Sequence, residues 1–131
     1  MINIILASIG LILLFPFLLF VALFLFLLEK KYPLFIQLRF GKNKRLFAIY
    51  KFRTMLDGEI TQTGKVLRKT GIDELSQLVN VLLGDMSLVG PRPLLESDII
   101  RLGLTGDYYA KRWKIRPGIT GLAQLGSKCH K

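Results

Sequence analysis

The first 28 residues contain no charged side chain, and residues 30 to 53 contain no acid. Cysteine is nearly missing too: Cys129 stands alone, which excludes an internal disulfide and suits a reducing cytoplasm. Cys129 and His130 adjoin, but a zinc site needs more ligands, so the pair receives no metal role. Outside the opening segment there is no low-complexity tract and no internal repeat. A secretory leader is not expected. The apolar run lacks a basic start, is too long, and is followed by EKKYP rather than a small-residue cleavage site.

What is present begins with MINIILASIGLILLFPFLLFVALFLFLL, an apolar segment about 42 Å long as one helix, against a hydrocarbon core of ~30 Å. The chain therefore divides into a membrane anchor at 1–28 and a single small domain at 29–131. Pro16 removes a helical hydrogen bond in mid-segment, which predicts a kink or break. The residues alone favour a kinked span over a re-entrant helix–break–helix. Eight basic residues follow between Lys30 and Arg53, which marks the cytoplasmic side and suits an anionic leaflet.

LFIQLRF (34–40) and RLFAIYKF (45–52) flank Gly41-Lys42-Asn43-Lys44 and predict a β-hairpin. Alternation would put Lys51 and Arg53 on one face, as an anion grip or as a solvated edge. Residues 57 to 71 read as a polar turn region, with Thr70 placed to cap a helix over the next segment. Ile72, Leu75, Leu78, Val79 and Leu82 form an apolar stripe at helical spacing, closed by Gly84. Pro91-Arg92-Pro93 predicts a stiff extended stretch, 94–115 a helix then a loop, and RPGITG (116–121) a turn.

Asp73 and Glu74 open that helix. Acids in a first turn complement the helix dipole and need no other reason to be there. Around them, however, stand parts suited to phosphate: the cations Lys51, Arg53, Arg92 and Arg116, the close-approach glycines Gly90 and Gly118, and Asp85 as a third acid. A carboxylate at a helix start is expected to stay ionised, and then to be competent to attack phosphorus. Magnesium suits a carboxylate–phosphate site.

KFRTM (51–55), DELSQLVNVLLGDMSLVGPRP (73–93) and RPGITGLAQ (116–124) resemble successive blocks of the bacterial sugar transferase family, the small monotopic phosphoglycosyl transferases. The hairpin RFGKNKRLFAIYKFRTM matches as well, and the resemblance covers about Gln37 to Gln124. It implies an α/β fold: a proline-broken, re-entrant membrane helix and a mixed α/β domain with interfacial helices on the cytoplasmic face of a bacterial inner membrane. It also implies transfer of a sugar phosphate from a UDP-sugar to polyprenyl phosphate, initiating surface glycan assembly. Asp73 would be the nucleophile and Glu74 its partner. Mg²⁺ would be held by Asp73, Glu74 and Asp85, and phosphates by Lys51, Arg53, Arg92, Arg116 and Lys128. The implied partners are the nucleotide sugar, the polyprenyl phosphate and membrane lipid, with no nucleic acid.

The sequence departs from the family pattern in places. Phe15 rather than serine precedes Pro16, Ser76 stands where a proline often follows, and the chain reads LGSKCHK where relatives continue through an Asn-Gly-Arg turn. Lys128 stands where that arginine is expected, without its bidentate fork. The resemblance thus predicts a member shortened at its C-terminus. Two other readings stay open, a non-catalytic membrane-bound relative and a basic membrane-anchored module for nucleic acid or anionic lipid. The second finds no use for Asp73, Glu74 and Asp85.

Overall fold

The structure is a computed structural model and describes residues 1–103 and 106–120. Helix α1, Ile2–Glu29, is long and apolar enough to cross a membrane. It is apolar all round, yet one line of it is covered. Ala7, Leu11, Leu14, Leu18, Val21 and Leu25 recur at alternating steps of four and three, the spacing that keeps one seam facing a partner. The partner is the rest of the chain. Ala7, Leu11 and Leu14 pack with Phe47, Ile49, Leu78, Val81 and Met86. Leu18, Val21, Ala22 and Leu25 pack with Phe52 and Leu67. α1 is helical through Pro16 without a gap, so the break expected there is not seen. A mid-helix proline costs about 3 kcal/mol, and here apolar packing on both sides of it offsets that cost.

The predicted hairpin is present. Strands β1, Leu34–Phe40, and β2, Leu46–Phe52, pair antiparallel with Gln37 opposite Ile49. The intervening turn uses positive φ at Asn43 and Lys44. A second small hairpin joins β3, Met55–Leu56, to β4, Glu59–Ile60.

Helix α2, Gln62–Thr70, lies where the sequence read as turns. Its signals are short: Thr61 caps it by accepting from Gly64 N at 2.9 Å, and Gly71 ends it in the left-handed region. Only Gly64 and Leu67 of it are buried, so there is no apolar stripe to read. Thr70 belongs to the end of α2, donating to Val66 O and Leu67 O, and does not cap the next segment.

That segment is a 3₁₀ turn, Ile72–Gln77, continuing into α3, Leu78–Leu82, with Gly84 at φ 86° beyond it. The apolar stripe is only half inward. Leu78 and Val81 are buried, whereas Val79 and Leu82 are 38% and 37% exposed. Asp73, Ser76, Gln77 and Asn80 are buried instead. The cause is the open edge of β2: Asn80 donates to Ala48 O (2.7 Å) and accepts from Tyr50 N (3.2 Å), and Ser76 Oγ donates to Tyr50 O (3.0 Å). Buried backbone groups must be paired, and side chains here do what another strand would.

After β5, Ser87–Val89, the Pro91-Arg92-Pro93 stretch carries no helix or strand, as predicted. α4, Glu96–Leu102, and a 3₁₀ segment, Asp107–Lys114, follow. The RPGITG run is not simply a turn: Gly118–Thr120 form β6, parallel to β5. Glycine permits that pairing. A Cβ at Gly118 would lie 2.0 Å from Gly90 N, and one at Gly90 2.5 Å from Arg116 O. Their close approach is to each other's backbone segments.

Candidate active site

Hairpin register builds the floor of a cleft. Gln37 and Arg39 share the inward face of β1 with Ile49 and Lys51 of β2. The cleft, about 260 Å³ and open to solvent, is lined by Arg39, Lys51, Glu74, Gln77 and Arg92, with Gly118 and Ile119 at its wall. Three cations thus face one acid. Lys51 Nζ lies 3.7 Å from Glu74 Oε1. Burial lowers the Lys51 pKa, against the raising influence of Glu74 and Asp73. Arg39 is 9% exposed, and burial with the nearby Arg92 charge lowers its pKa. Gln37 Oε1 accepts from Arg39 Nη2 at 2.7 Å and Nε at 3.2 Å, Pro93 O accepts from Nη1 at 3.3 Å, and Asp98 lies 3.8 Å away.

Asp73 adjoins this cleft but does not line it. It is 4% exposed. Burial pushes its carboxyl above the ordinary value and Glu74 adds to that, while Lys51 and Arg68 pull the other way. The helix-start field expected there does not lower the Asp73 pKa. Its turn is 3₁₀ rather than α, and desolvation outweighs the field.

The other expected site residues divide clearly. Arg92 reaches the cleft with Lys51 and Glu74. Arg53 does not: β2 ends at Phe52, and Arg53 Nε donates to Tyr32 O at 2.9 Å, tying down the chain after α1. Arg116 is exposed and lines no cleft described here. Asp85 sits in the turn after α3, its N–H on Asn80 O, and no cluster of three His, Cys, Asp or Glu suited to a metal occurs among the described residues. Lys128 lies outside the described residues. Arg39 and Gln77 are cleft residues that sequence reasoning missed. For Arg39 a signal existed, since the hairpin register with period two puts it on the face of Lys51.

The match to known proteins is direct. The family model for bacterial sugar transferases matches residues 1–130. The chain belongs to the bacterial sugar transferase family. It is similar to the exopolysaccharide production protein PSS of Rhizobium leguminosarum bv. phaseoli, 42% identical over 88% of this chain and 67% of that protein. It is also similar to the sugar transferase EpsL of Bacillus subtilis, 45% identical over 72% of this chain and 51% of that one. A UDP-glucose:undecaprenyl-phosphate glucose-1-phosphate transferase of Klebsiella pneumoniae is 39% identical over 94% of this chain and 30% of its own length. The chain thus spans about half of EpsL, two thirds of PSS and under a third of the Klebsiella enzyme. Lys51 of KFRTM, Glu74 and Gln77 of the middle block, Arg92 and Pro93 of its end, and Gly118 and Ile119 of RPGITG all line the cleft.

Proposed function

We propose that the chain is a phosphoglycosyl transferase that moves a sugar phosphate from a UDP-sugar to a polyprenyl phosphate at the cytoplasmic face of the bacterial inner membrane. The observation that carries the reading is the cleft in which Arg39, Lys51 and Arg92 converge beside Glu74 and Asp73. Buried like charges are costly unless something compensates them, and a pyrophosphate carries the charge that would. The names of relatives such as the Klebsiella transferase support the same donor and acceptor classes.

In this reading an Asp73 carboxylate oxygen attacks the sugar-linked phosphorus. The phosphoanhydride bond breaks and UMP leaves with the electron pair. A polyprenyl phosphate oxygen then attacks the phosphosugar and frees Asp73. Lys51 and Arg92 hold the reacting phosphates, and Arg39, fixed by Gln37, joins them. The donor set fits Mg²⁺, which takes one or two carboxylates together with substrate phosphates; Asp73 and Glu74 would hold it, without Asp85. Its contribution when bound is to screen the repulsion between carboxylate and pyrophosphate. α1 supports an anchor that stays in one leaflet, because both of its halves pack on the domain, and a domain in water cannot follow a helix across a bilayer.

A second reading, a non-catalytic membrane-bound relative, draws on the burial of Asp73 away from the cleft lining. One experiment separates them: UMP release from a panel of UDP-sugars by the detergent-purified chain with Mg²⁺ and polyprenyl phosphate, beside Asp73→Asn and Glu74→Gln. Release abolished by Asp73→Asn, with a phosphosugar adduct on Asp73 in the native chain by mass spectrometry, is the expected result. No release from folded protein across the panel defeats the catalytic reading for those donors.

A further inference from the structure

Arg39 and Arg92 both line the cleft, but their side chains are held differently. Among the described residues the Arg92 guanidinium makes no hydrogen bond or ion pair, so its planar fork is open. Arg39 is committed. Its Nε and Nη2 both donate to Gln37 Oε1, at 3.2 and 2.7 Å, along an edge with which a guanidinium otherwise grips two oxygens of one phosphate. Its Nη1 donates to Pro93 O at 3.3 Å and lies 3.8 Å from Asp98 Oδ2. Nearly enclosed and spent on protein partners, Arg39 reaches a ligand through its charge rather than through a fork.

Asp98 is the acid behind this arrangement. It belongs to α4 and does not line the cleft. Its Oδ2 also accepts from Leu95 N at 3.2 Å, and its Oδ1 pairs with the exposed Arg101 at 3.2 Å. A buried cation needs a compensating anion. Glu74, the acid that lines the cleft, already stands 3.7 Å from Lys51. Burial and the Arg92 charge lower the Arg39 pKa, and Asp98, ahead of Glu74, raises it. We propose that Asp98 and Gln37 are positioning residues, which hold Arg39 at the cleft as a fixed positive charge for a bound phosphoryl group and leave bidentate contact to Arg92. The inference rests on the catalytic reading of the cleft. Neutralising an acid beside a cationic cleft would by itself strengthen anion binding, whereas releasing Arg39 weakens it. With Asp98 as a positioning residue, the second effect wins.

The full chain in detergent with Mg²⁺ is titrated with inorganic pyrophosphate by calorimetry, beside its variants. Asp98→Asn keeps an acceptor for Leu95 N and should bind about fivefold more weakly in spite of the added positive charge. Asp98→Glu should recover most of that loss. Arg101→Ala removes only the exposed partner of Asp98 and should bind as the native chain does. In an Arg39→Gln background, Asp98→Asn should no longer weaken binding, a coupling that a merely structural role of Asp98 in α4 would not produce. Gln37→Met, which removes the acceptor at similar size, should show the same dependence on Arg39 and serves where Asp98→Asn does not fold. Equal or tighter binding by folded Asp98→Asn, or an equal loss in both backgrounds, would overturn the positioning role, while UMP release by the native chain would leave the catalytic reading standing. A native chain that binds no pyrophosphate would overturn it as well. The coupled pattern without UMP release from any donor would uphold the positioning role while defeating catalysis.

Discussion

α1 and the Ile72–Leu82 segment pack against the same hairpin for opposite reasons. α1 offers apolar side chains in every direction and buries the one line that fits, so its contact is chosen by shape and spacing. The Ile72–Leu82 segment buries Asp73, Ser76, Gln77 and Asn80 and leaves Val79 and Leu82 outward, so its contact is chosen by the unpaired backbone of β2. Apolar burial is forgiving because it depends on area. Completing a strand edge is not, because each missing bond strands a buried polar group. The less forgiving contact is the one that carries the Asp-Glu pair.

That contrast can be broken at Asn80, where the largest effect is expected. Asn80→Ala removes both bonds to β2 and should cost about 3 kcal/mol in denaturant unfolding in detergent, with loss of any UMP release. Asn80→Asp keeps an acceptor for Tyr50 N but sets a buried carboxylate against Ala48 O, and should recover none of that loss at neutral pH. On the apolar side, Ala7→Leu forces extra volume into a fully buried seam position and should cost about 2 kcal/mol by the same assay. Ser76→Ala should cost about 1 kcal/mol, since it gives up one bond to Tyr50 O.

Asp73 sharpens the comparison differently. A carboxyl whose folded pKa is raised binds its proton more tightly in the folded state. Stability is then lost as pH rises from the unfolded value of about 4 towards the folded one. Asp73→Asn should therefore raise the melting temperature at neutral pH by roughly a few degrees, a gain that disappears below about pH 4. An unchanged or lower melting temperature at pH 7 would mean that Lys51 and Arg68 outweigh burial. The smallest effect belongs to Leu83→Ser, a 62% exposed position, expected within about 0.5 kcal/mol in detergent.

Much of this was legible from the residues. The hairpin announced itself through alternation around Gly41–Lys44, and α1 through its charge-free run. The Pro-Arg-Pro stretch was readable because proline fixes local geometry. What escaped notice depended on partners distant in sequence. α2 has too little apolar surface to show a period, and β6 exists only because Gly90 and Gly118 let two segments cross. The inward polar face of residues 73–80 inverts the usual rule, and only the edge of β2 explains it. For the site, Lys51, Glu74 and Arg92 come together in one cleft and Asp73 adjoins it, while Arg53, Arg116 and Asp85 lie apart from it.

The pairing of β6 with β5 also sets an order in time. Roughly 90 residues separate the end of α1 from Thr120, about 5–20 s of synthesis at typical ribosomal rates. Through that interval the apolar helix is already made while Gly118 and Ile119, which wall the cleft, have yet to emerge. The nascent chain therefore owns its membrane-length helix before it owns a complete cleft.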